Sequence, residues 1–178
     1  MKITIALFRG INVGGRNSLP MRALVDILED LGLKDIRTYI QSGNVIFQSK
    51  KIDSAELVQK IGEAILESHG FTPQVILLDL SELEMAARLN PFPDAEPEPK
   101  ALHVFFLADL PVDPDLKTLK KIRGEHERFE HLGKLFYLHA PDGIGKSKLA
   151  AKVEKALGVP VTARNWKTVN KLLDLAKS

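Results

Sequence analysis

The order of strand-like and helix-like segments constrains the fold of this 178-residue chain more strongly than any other feature. In residues 1–90, alternating apolar positions predict strands, and apolar positions at helical spacing predict helices. Their order is βαββαβ followed by a short helix, and the second half repeats βαββαβ and ends with one more helix. This order is typical of the split βαβ, or ferredoxin-like, arrangement. We therefore predict an α+β protein of two ferredoxin-like subdomains with an added C-terminal helix.

Proline marks the boundary between the two predicted subdomains. Residues 90–100 hold four of the ten prolines, which remove backbone donors and disfavour helix. We predict an N-terminal subdomain over residues 1–90, a proline-rich linker over 91–100 and a C-terminal subdomain over 101–178. The predicted strands are residues 2–8, 36–40, 45–48, 74–79, 101–108, 128–132, 134–139 and 159–164. One predicted helix runs without interruption over residues 147–157, because apolar residues repeat there at helical spacing.

Alternation along the strands assigns side chains to the two faces of the first sheet. Ile3, Ile5 and Leu7 share one face, which we expect to lie against the helices. Phe8 then lies on the opposite face, beside Tyr39. RNA-recognition sheets stack bases on aromatic side chains in such positions. Packing inside the protein explains both aromatic residues at least as well.

The composition excludes several kinds of site. The chain has no cysteine, which excludes disulfides, thiolate metal sites and cysteine nucleophiles. The histidines lack the spacing of metal ligands, and we predict neither a metal site nor a cofactor. No apolar run approaches the ~20 residues that cross a bilayer, so we predict a cytoplasmic protein without a membrane partner. The last 38 residues carry eight Lys or Arg against three acids, which indicates a phosphate-binding surface or simply a solvated helix face.

The first candidate site is the turn FRGINVGGRN, residues 8–17, between the first strand and the first helix. Its glycines allow positive φ and a close approach of the backbone to a ligand, and successive free amides in such turns bind anions. Its arginines carry the planar guanidinium that clamps phosphate or carboxylate. The predicted ligand-binding residues here are Arg9, Gly10, Asn12, Gly14, Gly15, Arg16 and Asn17. The alternative is a tight turn that needs glycine only for its geometry.

Two further turns complete the predicted ligand site. The hairpin turn after the second strand supplies neutral hydrogen-bonding groups from Gln41, Ser42 and Asn44. The start of the last helix contributes Arg164, Asn165 and Trp166 from the other half. Asn165 is equally explained as a helix N-cap, and Trp166 as a core anchor. Residues 141–147, PDGIGKS, resemble the end of a P-loop. They lack the first glycine of that motif, so nucleotide hydrolysis is not favoured.

Several runs of residues resemble the DUF1697 family, a widespread bacterial family known only as a domain of unknown function. The first half carries FRGINVGGRN, LPM at residues 19–21 and TYIQSGNVIF at residues 38–47. The second half carries PDGIGKSKL at residues 141–149 and RNWKTVNKL at residues 164–172. The resemblance covers nearly the whole chain and implies two ferredoxin-like subdomains. It implies no activity.

Our leading functional hypothesis is a binding protein for a phosphate-bearing ligand, either a nucleotide or a nucleic acid. If the turn at residues 8–17 faces the start of the last helix, one positive cleft forms between the subdomains. Two alternatives remain open at this point. One is an enzyme that acts on a small anionic metabolite in that cleft, and the other is a dimerising scaffold whose glycine turn is purely structural.

Overall fold

The structure is a computed structural model that describes residues 1–50 and 52–178. The chain divides into two compact units. The first unit comprises Met1–Glu84 together with Leu172–Ser178, and the second comprises Met85–Lys171. Each unit is built on one four-stranded antiparallel sheet.

The first sheet has the strand order β2-β3-β1-β4. Its strands are β1 (Lys2–Arg9), β2 (Lys34–Tyr39), β3 (Asn44–Ser49) and β4 (Gln74–Asp79). Helices α1 (Met21–Asp30) and α2 (Ser54–His69) connect them, and α3 (Leu80–Arg88) follows β4. Asp53 caps α2 and Gly70 ends it in the left-handed conformation, as a capped helix with a glycine stop predicts.

The second sheet repeats this topology with the strand order β6-β7-β5-β8. Its strands are β5 (Leu102–Leu107), β6 (Arg128–Leu132), β7 (Leu135–His139) and β8 (Val161–Asn165). The helices are α4 (Leu116–Ile122), α5 (Val153–Leu157) and the C-terminal α6 (Trp166–Lys177). The prediction of two ferredoxin-like subdomains with an added helix is confirmed.

The predicted continuous helix over residues 147–157 is wrong. The chain forms a 3₁₀ turn at Ala150–Lys152 before α5 begins at Val153. Lys152 departs from helical geometry with φ −111° and ψ −6°. The Ser147 hydroxyl accepts a hydrogen bond from the Ala150 amide at 2.9 Å, which is the N-cap pattern, and the turn that it caps is a 3₁₀ turn.

The assignment of faces on β1 is also wrong. Phe8 is 1% exposed and lies in the core under α1 and α2, together with Ala6 and Val45. Ile5 and Leu7 therefore point to the opposite face, where both are completely buried. Phe8 is thus a core residue, and base stacking on it is excluded.

The proline-rich segment packs within the second unit. Phe92 and Ala95 are buried, and Pro93–Ala95 form a 3₁₀ turn. The Arg128 guanidinium on β6 donates two hydrogen bonds to the Asp94 carboxylate, at 3.2 and 2.8 Å, and lies 4.7 Å above the Phe92 ring. The ion pair and the cation–π contact together order this segment.

Every helix in residues 1–50 and 52–178 is too short or too polar to traverse a lipid bilayer.

Candidate functional site

The glycine turn is a small β-hairpin. The Asn12 amide donates to the Asn17 carbonyl and the Arg16 amide to the Val13 carbonyl, both at 3.0 Å. Gly14 and Gly15 form the tip, with φ +57° and +74°. Two successive positive φ angles are the signature of the type I′ hairpin turn, which nearly always requires glycine or asparagine. The glycines are therefore explained by the hairpin geometry.

The two asparagines of this hairpin hold its base together. Both adopt φ +52°, a conformation that asparagine tolerates better than most residues. The Asn12 amide group donates to the Leu19 and Gln41 carbonyls at 2.9 and 3.0 Å, and its oxygen accepts from the Leu19 amide at 2.8 Å. The Asn17 amide group donates to the Gly10 carbonyl at 2.9 Å. Each side chain is thus bonded to the backbone of the protein itself.

The glycine hairpin is packed against the turn between β2 and β3. The Phe8 amide donates to the Gly43 carbonyl at 2.8 Å. Gly43 has φ +80°, and a Cβ atom built there would lie 2.5 Å from the Phe8 Cβ and 2.8 Å from the Ile11 Cδ1. The buried Asn44 side chain donates to the Tyr39 carbonyl and the Ser42 hydroxyl, at 3.1 and 3.0 Å. We call residues 9–17 and 40–44 the paired turns.

The paired turns leave a cationic and partly apolar surface in solvent. Arg9, Arg16, Gln41 and Ser42 are exposed, and the Arg9 guanidinium donates to the Gln74 side chain at 3.3 Å. Within the part of the chain that the structure describes, the Arg16 guanidinium has no hydrogen bond or ion pair. Val13 and Ile40 are 64% and 53% exposed. The surface therefore combines a free cation with apolar side chains.

Ile40 has an unusual backbone conformation. It lies in the left-handed region with φ +52°, although it is β-branched and half exposed. For such a residue this conformation is a genuine outlier, and it costs of order 1–3 kcal/mol. Retained strain of this size is concentrated at ligand-binding and catalytic positions in proteins.

The predicted residues at the start of α6 have separate local roles in the second unit. The Asn165 side chain accepts a hydrogen bond from the Thr168 amide at 2.9 Å, which makes it the N-cap. Trp166 is 3% exposed, as expected of a core anchor. Arg164 pairs with Val104 across β8 and β5, and burial lowers its pKa to about 10. Their contribution to a site shared with the paired turns stays a prediction.

The segment PDGIGKS does not form a P-loop. Ile144–Lys146 is a 3₁₀ turn, and α5 begins only at Val153, whereas a P-loop requires an α-helix that starts directly at its lysine. Among the histidines, His126 pairs with Asp142 at 3.0 Å, and this hydrogen bond raises the pKa of the imidazole. Burial lowers the pKa of His103. Over residues 1–50 and 52–178, no three His, Asp or Glu side chains converge on a possible metal position.

Comparison with known proteins agrees with this fold. The family described as "Protein of unknown function (DUF1697)" matches residues 1–137. The chain belongs to the DUF1697 family. Its fold is similar to that of the conserved bacterial protein SP0830 of Streptococcus pneumoniae, with a TM-score of 0.71 and 28% sequence identity over 98% of each chain. No curated protein matches this DUF1697 chain.

The resemblance predicted from the sequence is thereby confirmed. Within this DUF1697 chain, the runs FRGINVGGRN and TYIQSGNVIF form the two halves of the paired turns. The sequence analysis did not identify the strained backbone of Ile40 or the close packing at Gly43. An isoleucine directly before a polar turn is a weak signal of strain, because the sequence does not reveal its φ angle.

Proposed function

We propose that the paired turns bind a small phosphate-bearing ligand. The strained, exposed Ile40 is the observation that carries this proposal, because the core gains nothing from a half-exposed isoleucine in the left-handed conformation. Arg16 supplies a guanidinium without a hydrogen bond or ion pair to the residues that the structure describes, and its planar shape matches two oxygens of a phosphate group. Val13 and Ile40 supply apolar contacts for the rest of the ligand.

The charge of the first unit favours a nucleotide-sized ligand over a nucleic acid. Residues 1–84 and 172–178 carry ten Lys or Arg against twelve Asp or Glu. Binding to a nucleic acid depends on neutralising many phosphates with clustered positive charge. A unit with a small excess of acids and one free arginine at its exposed turns suits one or a few phosphates.

We expect the Arg16→Gln variant to bind adenosine triphosphate and pyrophosphate about tenfold more weakly than the natural protein, since a charge-assisted hydrogen bond is lost. Calorimetry and amide chemical shifts of Gly14 and Gly15 measure this. The matched control is Arg22→Gln, which removes an exposed arginine from α1. Equal weakening by both variants, or no saturable binding of either probe, would rule out the site. A steep dependence of oligonucleotide binding on salt would instead identify a nucleic-acid ligand.

The strain at Ile40 has its own test. We expect Ile40→Asn to leave the free energy of unfolding unchanged or to raise it by up to about 1 kcal/mol, because asparagine adopts positive φ more readily. The comparison is Ile36→Asn, which alters a half-buried isoleucine on β2 without positive φ and should destabilise by about 1–2 kcal/mol. Urea denaturation measures both variants. Similar losses at the two positions would show that Ile40 stores no strain.

A further inference from the structure

A cavity of about 420 Å³ lies in the first unit, at the opposite end of β1 from the paired turns. It opens where the helix-facing side of the sheet changes from apolar to polar residues. Phe8 and Ala6 fill the core under the helices, whereas the next helix-facing positions along β1 are Thr4 and Lys2. Across the ladder, Lys2 lies opposite Ser49 of β3. Ser54 and Leu57, in the first turn of α2, line the void beside these positions.

Two hydroxyl groups in this cavity have no hydrogen-bond partner among the residues that the structure describes. Thr4 is 9% exposed and Ser49 is 6% exposed, and both line the cavity. Neither side chain makes a hydrogen bond to any residue in the described part of the chain. Neither hydroxyl oxygen is among the fully enclosed polar atoms that lack a partner in that part of the chain. Both hydroxyls line the cavity and can therefore take a hydrogen-bond partner from it.

The rest of the lining is apolar, with lysines at the rim. Leu57 and Leu77 form walls. Lys50 is exposed and has no ion pair among the described residues, while Lys2 pairs with Asp79 at 3.1 Å. The first amides of α2 are already bonded to the Asp53 carboxylate. The Thr4 and Ser49 hydroxyls and the Lys50 ammonium group are therefore among the polar groups that a ligand can reach, together with Ser54.

We propose that this cavity binds a small organic anion with an aliphatic body. Its volume is within the range of about 300–1,000 Å³ that is usual for small-molecule sites, and it has the usual combination of apolar walls and a few polar groups. The anionic group accepts hydrogen bonds from Thr4 and Ser49 and lies near Lys50. The aliphatic body lies against Leu57 and Leu77. The site is independent of the paired turns.

The test is a titration of the full chain with hexanoate, with hexanol as the neutral probe of similar shape. Saturable changes in the methyl resonances of Leu57 and Leu77 are expected, with hexanoate binding at least about fivefold more tightly than hexanol. Thr4→Val keeps the shape of the side chain and removes the hydroxyl. It should weaken hexanoate binding about fivefold without lowering the melting temperature of the free protein, because an unpaired polar group is replaced by a methyl. Lys50→Gln should weaken binding about threefold, whereas the control Lys34→Gln on β2 should not.

Three results would overturn this proposal. The first is no saturable change at Leu57 and Leu77, and the second is equal affinity for hexanoate and hexanol. The third is undiminished hexanoate binding by both Thr4→Val and Ser49→Ala, and the second variant decides the matter should the first fail to fold. Because these residues lie away from the paired turns, the variants should bind pyrophosphate as the natural protein does. The two proposals thus fail or succeed separately.

Discussion

Replacing Gly43 with alanine is expected to lower the free energy of unfolding by about 3–4 kcal/mol. The added Cβ would lie 2.5 Å from the Phe8 Cβ and 2.8 Å from the Ile11 Cδ1, so β1 and the turn after β2 would have to separate. The positive φ of +80° adds the strain of a left-handed alanine. Urea denaturation followed by circular dichroism measures the loss.

Gly70→Ala is the matched control for this variant. Gly70 has nearly the same φ, +77°, but a Cβ there meets nothing within 4 Å. Its substitution should cost about 1 kcal/mol, from backbone strain alone. The difference between the two variants therefore isolates the steric overlap with Phe8 and Ile11. If the two variants lose the same stability, the turns are not packed as closely as described.

The second large effect is expected at Asn12. Asn12→Ala removes three hydrogen bonds and leaves the amide and carbonyl of the buried Leu19 without that partner, so we expect a loss of about 2–4 kcal/mol. The loss should also loosen the glycine hairpin from Gln41. Urea denaturation measures the stability, and amide hydrogen exchange at Leu19 measures the local opening.

Asn12→Gly separates the conformation of this residue from its hydrogen bonds. Glycine keeps the φ of +52° without strain but lacks the amide group. If the hydrogen bonds dominate, Asn12→Gly should lose most of the stability that Asn12→Ala loses. A glycine variant as stable as the natural protein would show that Asn12 is present only for its backbone conformation.

The sequence predicts the order of strands and helices along the chain well, because each element carries a local signal. The strand at residues 74–79 has the bounds of β4, and the predicted strand ends elsewhere are close to those of the structure. A β2-β3 hairpin followed by a helix and a further strand leaves few arrangements that cover one sheet face with helices. The same signals recur in the second half, and the same strand order follows.

The faces of β1 were not predictable from alternation because both faces are buried. Ile5 and Leu7 are completely buried on one side, and Ala6 and Phe8 are buried on the other. The size of the side chains also favours the wrong face as the helix-covered one, because the larger aliphatic residues Ile5 and Leu7 lie on the face away from α1 and α2. Alternation identifies a core face only where the other face is polar.

The position of the paired turns was predictable from the sequence, but the contacts that join them were not. The sequence indicates a glycine turn and a hairpin turn, and the structure joins them through Phe8, Asn12 and Gly43. The two turns are about thirty residues apart in sequence, and no local pattern reports a contact over that separation. The side chains of Asn12 and Asn17 likewise donate hydrogen bonds to backbone carbonyls. Those carbonyls come close to the two side chains only in the folded chain, so the sequence does not reveal the hydrogen bonds.

The repeated topology has a consequence for stoichiometry. Where the first unit carries its glycine hairpin between β1 and α1, the second unit joins β5 to α4 through residues 108–115, which contain neither glycine nor arginine. The two units thus share one strand order but differ in the connection between their first strand and their first helix. A nucleotide held by Arg16 should accordingly saturate at a single equivalent per polypeptide.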